Sequence, residues 1–119
     1  MHSLDTLFLD RDGVINVKLE ARYVRNSNEF EFMQGALVAI SKLSKLFKRI
    51  LIVTNQQGIG KGIMTEDDLN LLHSFMTSEI GKLNGKIDKI YFCPHLDTEN
   101  CNCRKPNPGM INQAIADFP

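Results

Sequence analysis

Three short apolar runs, separated by two longer stretches of helical periodicity, constrain this chain more than any other feature. The runs are Thr6-Leu7-Phe8-Leu9, Ile50 to Thr54 and Ile87 to Cys93, closed by Asp10, Asn55 and Pro94. Runs this short, apolar and enriched in Ile, Val, Phe and Tyr read as buried strands. Between the first two, Ala36, Leu37, Ile40, Leu43 and Phe47 recur at steps of three and four behind Gly35. Between the second and third, Leu69, Leu72, Met76, Ile80 and Leu83 do the same behind Thr65, which can cap the first turn while Asp68 answers three residues later. A last helix is expected from about Pro108. Strands and helices that alternate in this way predict an α/β fold, a three-layer Rossmann-like parallel sheet with right-handed crossovers. The 119 residues suffice for one domain, residues 1–119.

In such sheets ligands bind beyond the carboxyl ends of the strands. Here those ends are Asp10, Thr54 and Cys93, so the chemistry is expected along one rim. Composition narrows the partners. Lys+Arg and Asp+Glu number 14 each, so no global basic field points to nucleic acid or an anionic membrane. The longest apolar run, Ile50-Leu51-Ile52-Val53, is too short to span a bilayer, and Met1 to Asp5 lacks the features of a secretory signal. The expectation is a cytoplasmic monomer, with the exposed sheet edge as its route to a dimer. His2 reads as part of a flexible terminus and His73 as a helix-surface residue, while Phe30, Phe32 and Phe47 read as core.

Asp10-Arg11-Asp12-Gly13 leaves the first strand directly. Two carboxylates two residues apart on an extended segment can face one pocket, where one attacks while the other handles protons. Both would repel an anionic substrate unless a cation intervened, and Mg²⁺ suits carboxylate and phosphate oxygens. After the second strand, Thr54 to Gly62 invites a P-loop reading that fails twice: Asn55 stands where the first glycine belongs, and Gly62 where Ser or Thr is required. Thr54 and nearby backbone N–H groups remain candidates for phosphate oxygens.

The three cysteines all lie in the last third, and an odd, clustered set argues against a disulfide framework. Cys93-Pro94-His95 and Cys101-Asn102-Cys103 supply three sulfurs and an imidazole, the donor set of a closed structural zinc site within a loop at 93–103. Arg104 and Lys105 follow at once, a fork and a point charge suited to phosphate.

Phe8 to Asn16, Val53 to Ile59, and Cys93-Pro94-His95 with Cys101 to Pro106 together resemble the haloacid dehalogenase superfamily. Within it they look like the heptose-bisphosphate and histidinol-phosphate phosphatases, and the resemblance covers nearly the whole chain. It implies a haloacid dehalogenase-like phosphatase domain in which Asp10 is the nucleophile that becomes an aspartyl-phosphate. Asp12 would protonate the leaving alkoxide and then activate water. Thr54 and Lys105 would stabilise the transferring phosphoryl group, and Arg11, Asn55, Gln56 and Arg104 would contact substrate. Catalytic Mg²⁺ would be held by the Asp10 carboxylate and the Asp12 backbone carbonyl, and structural Zn²⁺ by Cys93, His95, Cys101 and Cys103. The family's fourth motif, an acidic Gly-Asp segment, would lie past Pro119, so the domain is expected to be incomplete at its C-terminus, with its last strands absent from this chain. Arg22 precedes Tyr23-Val24 where the heptose enzymes tend to have a glycine in a shorter loop, and no substrate contact is carried over there.

The implied substrate is a small phosphorylated metabolite. The Gly58-to-Thr65 stretch and Pro106 to Met110 favour D-glycero-D-manno-heptose 1,7-bisphosphate and carbohydrate metabolism. The short gap from His95 to Cys101 keeps histidinol phosphate, and hence histidine biosynthesis, as the alternative. A zinc-stabilised binding module without catalysis is the reading from another class.

Overall fold

The computed structural model describes residues 4–20 and 22–119, so His2 lies outside the described residues. Strands β1 (Leu4–Leu9), β2 (Phe47–Asn55) and β3 (Lys89–Cys93) form a sheet in that order, with both pairings parallel. Helix α1 (Ala36–Leu46) lies between β1 and β2, α2 (Gln57–Gly60) and α3 (Glu66–Lys82) lie between β2 and β3, and α4 (Gly109–Asp117) follows β3. The α/β expectation holds, and so does the three-layer arrangement.

The central strand shows why. Leu9, Ile52 and Ile90 stand side by side in the register and point to the face covered by α1 and α3. There they meet Ile40 of α1, Leu72, Met76 and Ile80 of α3, and Ile15, Val24 and Phe30 from the segment after β1. Leu51, Val53, Tyr91 and Cys93 point the other way, against Met110 and Ala114 of α4. Because β2 is covered on both faces, its apolar residues run on without alternation.

The element ends differ from the sequence expectation in ways the backbone explains. Phe47 does not finish α1; it takes an extended ψ of 135° and opens β2, paired with Leu4, so helix and strand join without a loop. It is half-buried and belongs to neither core cluster, whereas Phe30 and Phe32 pack edge to face at 4.9 Å in the core. The third strand starts at Lys89 rather than Ile87, after Asp88 has engaged the Ile50 backbone through both its N–H and its carboxylate. Helix α3 carries the expected capping box: the Thr65 hydroxyl accepts from the Asp68 N–H at 3.0 Å and the Asp68 carboxylate accepts from the Thr65 N–H at 2.9 Å. The short α2 interrupts what reads in sequence as a glycine-rich loop.

The parallel register delivers Asp10, Asn55 and Cys93 to one rim, as the strand ends require. Among the described residues nothing pairs with the outer side of β1, where Leu4 and Phe8 are exposed. No helix among them is long and apolar enough to cross a membrane.

Removing the α3 cap tests the local account. Thr65→Ala should cost about 1 kcal/mol by denaturant titration and leave the fold intact.

Candidate active site

The loop after β1 is organised by Arg11. Its carbonyl accepts the N–H groups of Val14, Ile15 and Asn16 at 3.1, 2.8 and 3.3 Å, and the Gly13 N–H closes back on the Asn16 carbonyl at 2.8 Å. This wrap requires a φ of 87° at Gly13, a left-handed value that glycine adopts without the Cβ penalty. It returns Asn16 to Asp12, whose Oδ1 accepts the Asn16 side-chain amide at 2.9 Å.

The Arg11 side chain turns inward. It is fully buried and directs Nε and Nη2 onto Asp12 Oδ1 at 3.2 and 2.7 Å, with Nη1 3.1 Å from His73 Nε2. The expectation that Arg11 contacts substrate is therefore corrected, because its guanidinium lies behind Asp12 and away from the cleft. Gln56 requires the same correction: also buried, its amide donates to Thr54 Oγ1 at 2.8 Å and to Asp12 Oδ2 at 3.0 Å. His73 is corrected too, since it lies on the buried face of α3 and only 6% of it is exposed.

Burial alone would raise the Asp12 carboxyl, but the Arg11 charge and the hydrogen bonds from Arg11, Asn16 and Gln56 outweigh it and hold the group below the usual carboxylate range. His73 moves down to about 4, first by desolvation and then by the neighbouring Arg11 charge, with Asp12 opposing. It is thus neutral at pH 7. Because Arg11 can only donate, the His73 Nε2 must carry the lone pair and Nδ1 the proton.

Asp10 stands exposed at the rim. Its Oδ1 takes the Arg11 N–H at 2.8 Å and lies 2.9 Å from Lys105 Nζ. Lys105 also donates from Nζ to the Val53 carbonyl at 3.0 Å, and Asn55 grips its backbone in both directions, at 2.9 and 3.3 Å. The lysine therefore reaches Asp10 from across the tips of β1 and β2. Arg104 faces Asp97 at 3.3 Å through Nε, while its Nη1 is buried without a partner.

Together these side chains line a cleft of about 450 Å³ at the carboxyl end of the sheet. Asp10, Asp12, Thr54, Asn55, Arg104 and Lys105, all expected from the sequence, line it. Lys18, Arg22, Tyr23, Gln57 and Lys61 line it too, without having been singled out as site residues. Five basic side chains thus face two carboxylates, a field suited to an anion. Gln57 ties the far wall together: its amide donates to the Tyr23 hydroxyl at 3.0 Å and its carbonyl accepts the Asp97 N–H at 2.6 Å. The hydrogen bond from Gln57, together with Lys61, lowers the Tyr23 phenol from its ordinary value.

Behind Arg104, the ligand atoms of Cys93, His95, Cys101 and Cys103 all lie within 4.8 Å of one another. Cys101 Sγ is 3.4 Å from Cys93 Sγ and 3.7 Å from Cys103 Sγ, and His95 Nδ1 is 3.5 and 3.2 Å from Cys93 and Cys103. Sulfurs bound tetrahedrally at zinc would sit roughly 3.8 Å apart, so the donor set fits one ion. The sulfurs of Cys93 and Cys103 are also close enough to form a disulfide, which would leave Cys101 as the free thiol. The loop packs against α2, where a Cβ on Gly60 would come within 2.6 Å of the Pro94 carbonyl.

The sequence model of the polynucleotide kinase 3 phosphatase family matches residues 6–119. Over 113 residues the chain is 43% identical to a D-glycero-alpha-D-manno-heptose-1,7-bisphosphate 7-phosphatase of Mycobacterium tuberculosis, covering 95% of this chain and 60% of that protein. It is 39% identical over 112 residues to the corresponding beta-anomer enzyme of Neisseria meningitidis, covering 94% of this chain and 59% of that protein. The crystal structure of D,D-heptose 1,7-bisphosphate phosphatase from B. bronchiseptica, complexed with magnesium and phosphate, superposes with a TM-score of 0.90 at 33% identity, over 97% of this chain and 64% of that one. The chain thus spans about three fifths of the length of the curated relatives it matches.

The buried His73 makes a pH prediction. Its pKa is lower folded than unfolded, so the unfolded chain binds the extra proton between about pH 6.5 and 4. The stability that the neutral ring supplies is complete above that window and lost as pH falls through it. Denaturant titrations at pH 7 and pH 5 should differ by about 1–2 kcal/mol from this group, and His73→Gln should flatten the difference.

Proposed function

The chain belongs to the polynucleotide kinase 3 phosphatase family, and on that premise we propose that it is a Mg²⁺-dependent phosphomonoester hydrolase working through an aspartyl-phosphate at Asp10. One observation carries the reading: a carboxylate open to the cleft with Lys105 Nζ at 2.9 Å and a second carboxylate two residues on. Phosphoryl transfer needs little beyond a positioned nucleophile, a proton handler and charge neutralisation.

Asp10 attacks phosphorus as the ester P–O bond breaks, forming an acyl phosphate. Water then attacks the same phosphorus, releasing phosphate and regenerating the carboxylate. Lys105 offers a point charge to the transferring oxygens. The Thr54 oxygen accepts from Gln56, leaving its own proton as a donor toward the cleft it lines. Arg104, which also lines the cleft, adds a second cation for the substrate oxygens, and Asn55 acts by holding Lys105 in place.

Asp12 manages the proton. Three donors occupy its Oδ1 and one its Oδ2, so Oδ2 is the oxygen with room for a proton. A carboxylate held ionised suits the water-activating step. For the leaving-group step the proton arrives with substrate, since a phosphate monoester with a second pKa of about 6 is partly monoanionic at neutral pH. Mg²⁺ supplies charge neutralisation among these anions when bound. The Asp10 carboxylate and the Asp12 backbone carbonyl would hold it, and hard oxygen donors with few protein ligands suit an ion that keeps several waters.

The substrate we favour is D-glycero-D-manno-heptose 1,7-bisphosphate, on the names of the relatives and on five cations in one cleft, which suit a sugar carrying two phosphates. Residues 1–119 are read as belonging to a single haloacid dehalogenase-like phosphatase domain. Cys93, His95, Cys101 and Cys103 are read as a structural zinc site that fixes the loop leading into Arg104 and Lys105.

Phosphate release with excess Mg²⁺ should be faster from heptose 1,7-bisphosphate than from histidinol phosphate, and Asp10→Asn should lower it at least about 10³-fold. Binding of the ester without turnover would instead identify a binding module. Metal analysis of the purified chain should find close to one zinc per chain; a zinc-free protein with a Cys93–Cys103 disulfide by peptide mass would overturn the metal assignment.

A further inference from the structure

His73 occupies a position of α3 where its neighbours Leu69, Leu72, Met76 and Ile80 are buried and apolar. An apolar side chain there would leave the Arg11 Nη1 facing it without an acceptor, and Arg11 is fully buried, so that N–H could not turn to water. The imidazole can supply the missing lone pair. The guanidinium it meets is the one that clamps Asp12 Oδ1 through Nε and Nη2. The three groups therefore form one chain of contacts from α3 to Asp12, which lines the cleft and is also held by Asn16 and Gln56.

We propose that His73 is a positioning residue for the reaction. By accepting from Arg11 Nη1 it fixes the rotation of the guanidinium, and through it the plane of the Asp12 carboxylate. The proposal rests on the phosphatase reading above and extends it to a residue some distance from the cleft. Phe30, whose ring centroid is 5.9 Å from the guanidinium carbon, forms another wall of the same pocket and offers no acceptor that could replace the imidazole.

Positioning and packing predict different behaviour. If His73 sets the Asp12 orientation, its loss should matter most when the leaving oxygen needs a proton, and little for phosphate binding, which uses Lys105, Thr54 and Arg104. In His73→Leu, kcat/KM for β-glycerophosphate, a poor leaving group, should fall about 10- to 100-fold. For p-nitrophenyl phosphate, whose leaving group departs without a proton, it should fall less than about threefold. Inhibition by inorganic phosphate should be unchanged. His73→Gln, which restores an acceptor, should recover most of the loss.

A second readout does not depend on turnover. Hydrogen exchange of the Arg11 Nε–H, followed by NMR on the full chain, should accelerate roughly tenfold in His73→Leu as the fork is released, and return toward wild type in His73→Gln. Equal losses on the two esters, or unchanged exchange in His73→Leu, would overturn the proposal. If the wild-type chain hydrolyses neither ester, the phosphatase reading fails, and exchange alone decides whether His73 holds Arg11 on Asp12.

Discussion

A guanidinium sealed from water must be neutralised where it lies, and the architecture of this rim follows from how Arg11 is neutralised. Burying such a charge costs several kcal/mol unless a paired anion and hydrogen bonds compensate. Asp12 supplies the anion and His73 an acceptor, while the Arg11 carbonyl gathers the N–H groups of the turn that follows. One residue thus shapes the loop with its backbone and orients a carboxylate with its side chain. Asp10, immediately before it, is left facing the cleft.

The second half of the site is delivered over a longer path. β2 is covered on both faces and anchors the sheet; its end carries Thr54 and Asn55. Asn55 holds the Lys105 backbone, and the Gln56 N–H bonds to the Cys93 carbonyl at 2.8 Å, so the tips of β2 and β3 and the loop beyond them are tied together. The Cys/His cluster lies in that loop, next in sequence to Arg104. On the zinc reading proposed above, placement of the two cations depends on a local staple rather than on a large core, as suits a segment of polar residues and turns.

Much of this was legible in the residues. Continuous apolar runs and amphipathic stretches specify the order of elements, and parallel topology puts the strand ends on one rim, so Asp10, Thr54 and Cys93 group together on the sequence alone. The misreadings share a cause. Helical position alone puts His73 on the surface and the family resemblance puts Arg11 and Gln56 against substrate, yet all three polar side chains are buried. Their burial depends on where the turn at Gly13 sends the chain and on which face of α3 meets it. Neither is encoded in local periodicity. Asn16 escaped notice for the same reason, since an asparagine inside an apolar stretch announces its hydrogen bond only once the partner carboxylate is located. Lys18, Arg22 and Lys61 reach the cleft from segments with no recognisable spacing.

The central claim is that Asp10 becomes covalently phosphorylated. The most direct measurement is borohydride trapping during turnover of a phosphate monoester with Mg²⁺, followed by peptide mass analysis. The account predicts conversion of Asp10 to homoserine, dependent on both ester and Mg²⁺, with Asp12 untouched. Phosphate release without any modification at Asp10, or modification at a different residue, would contradict it.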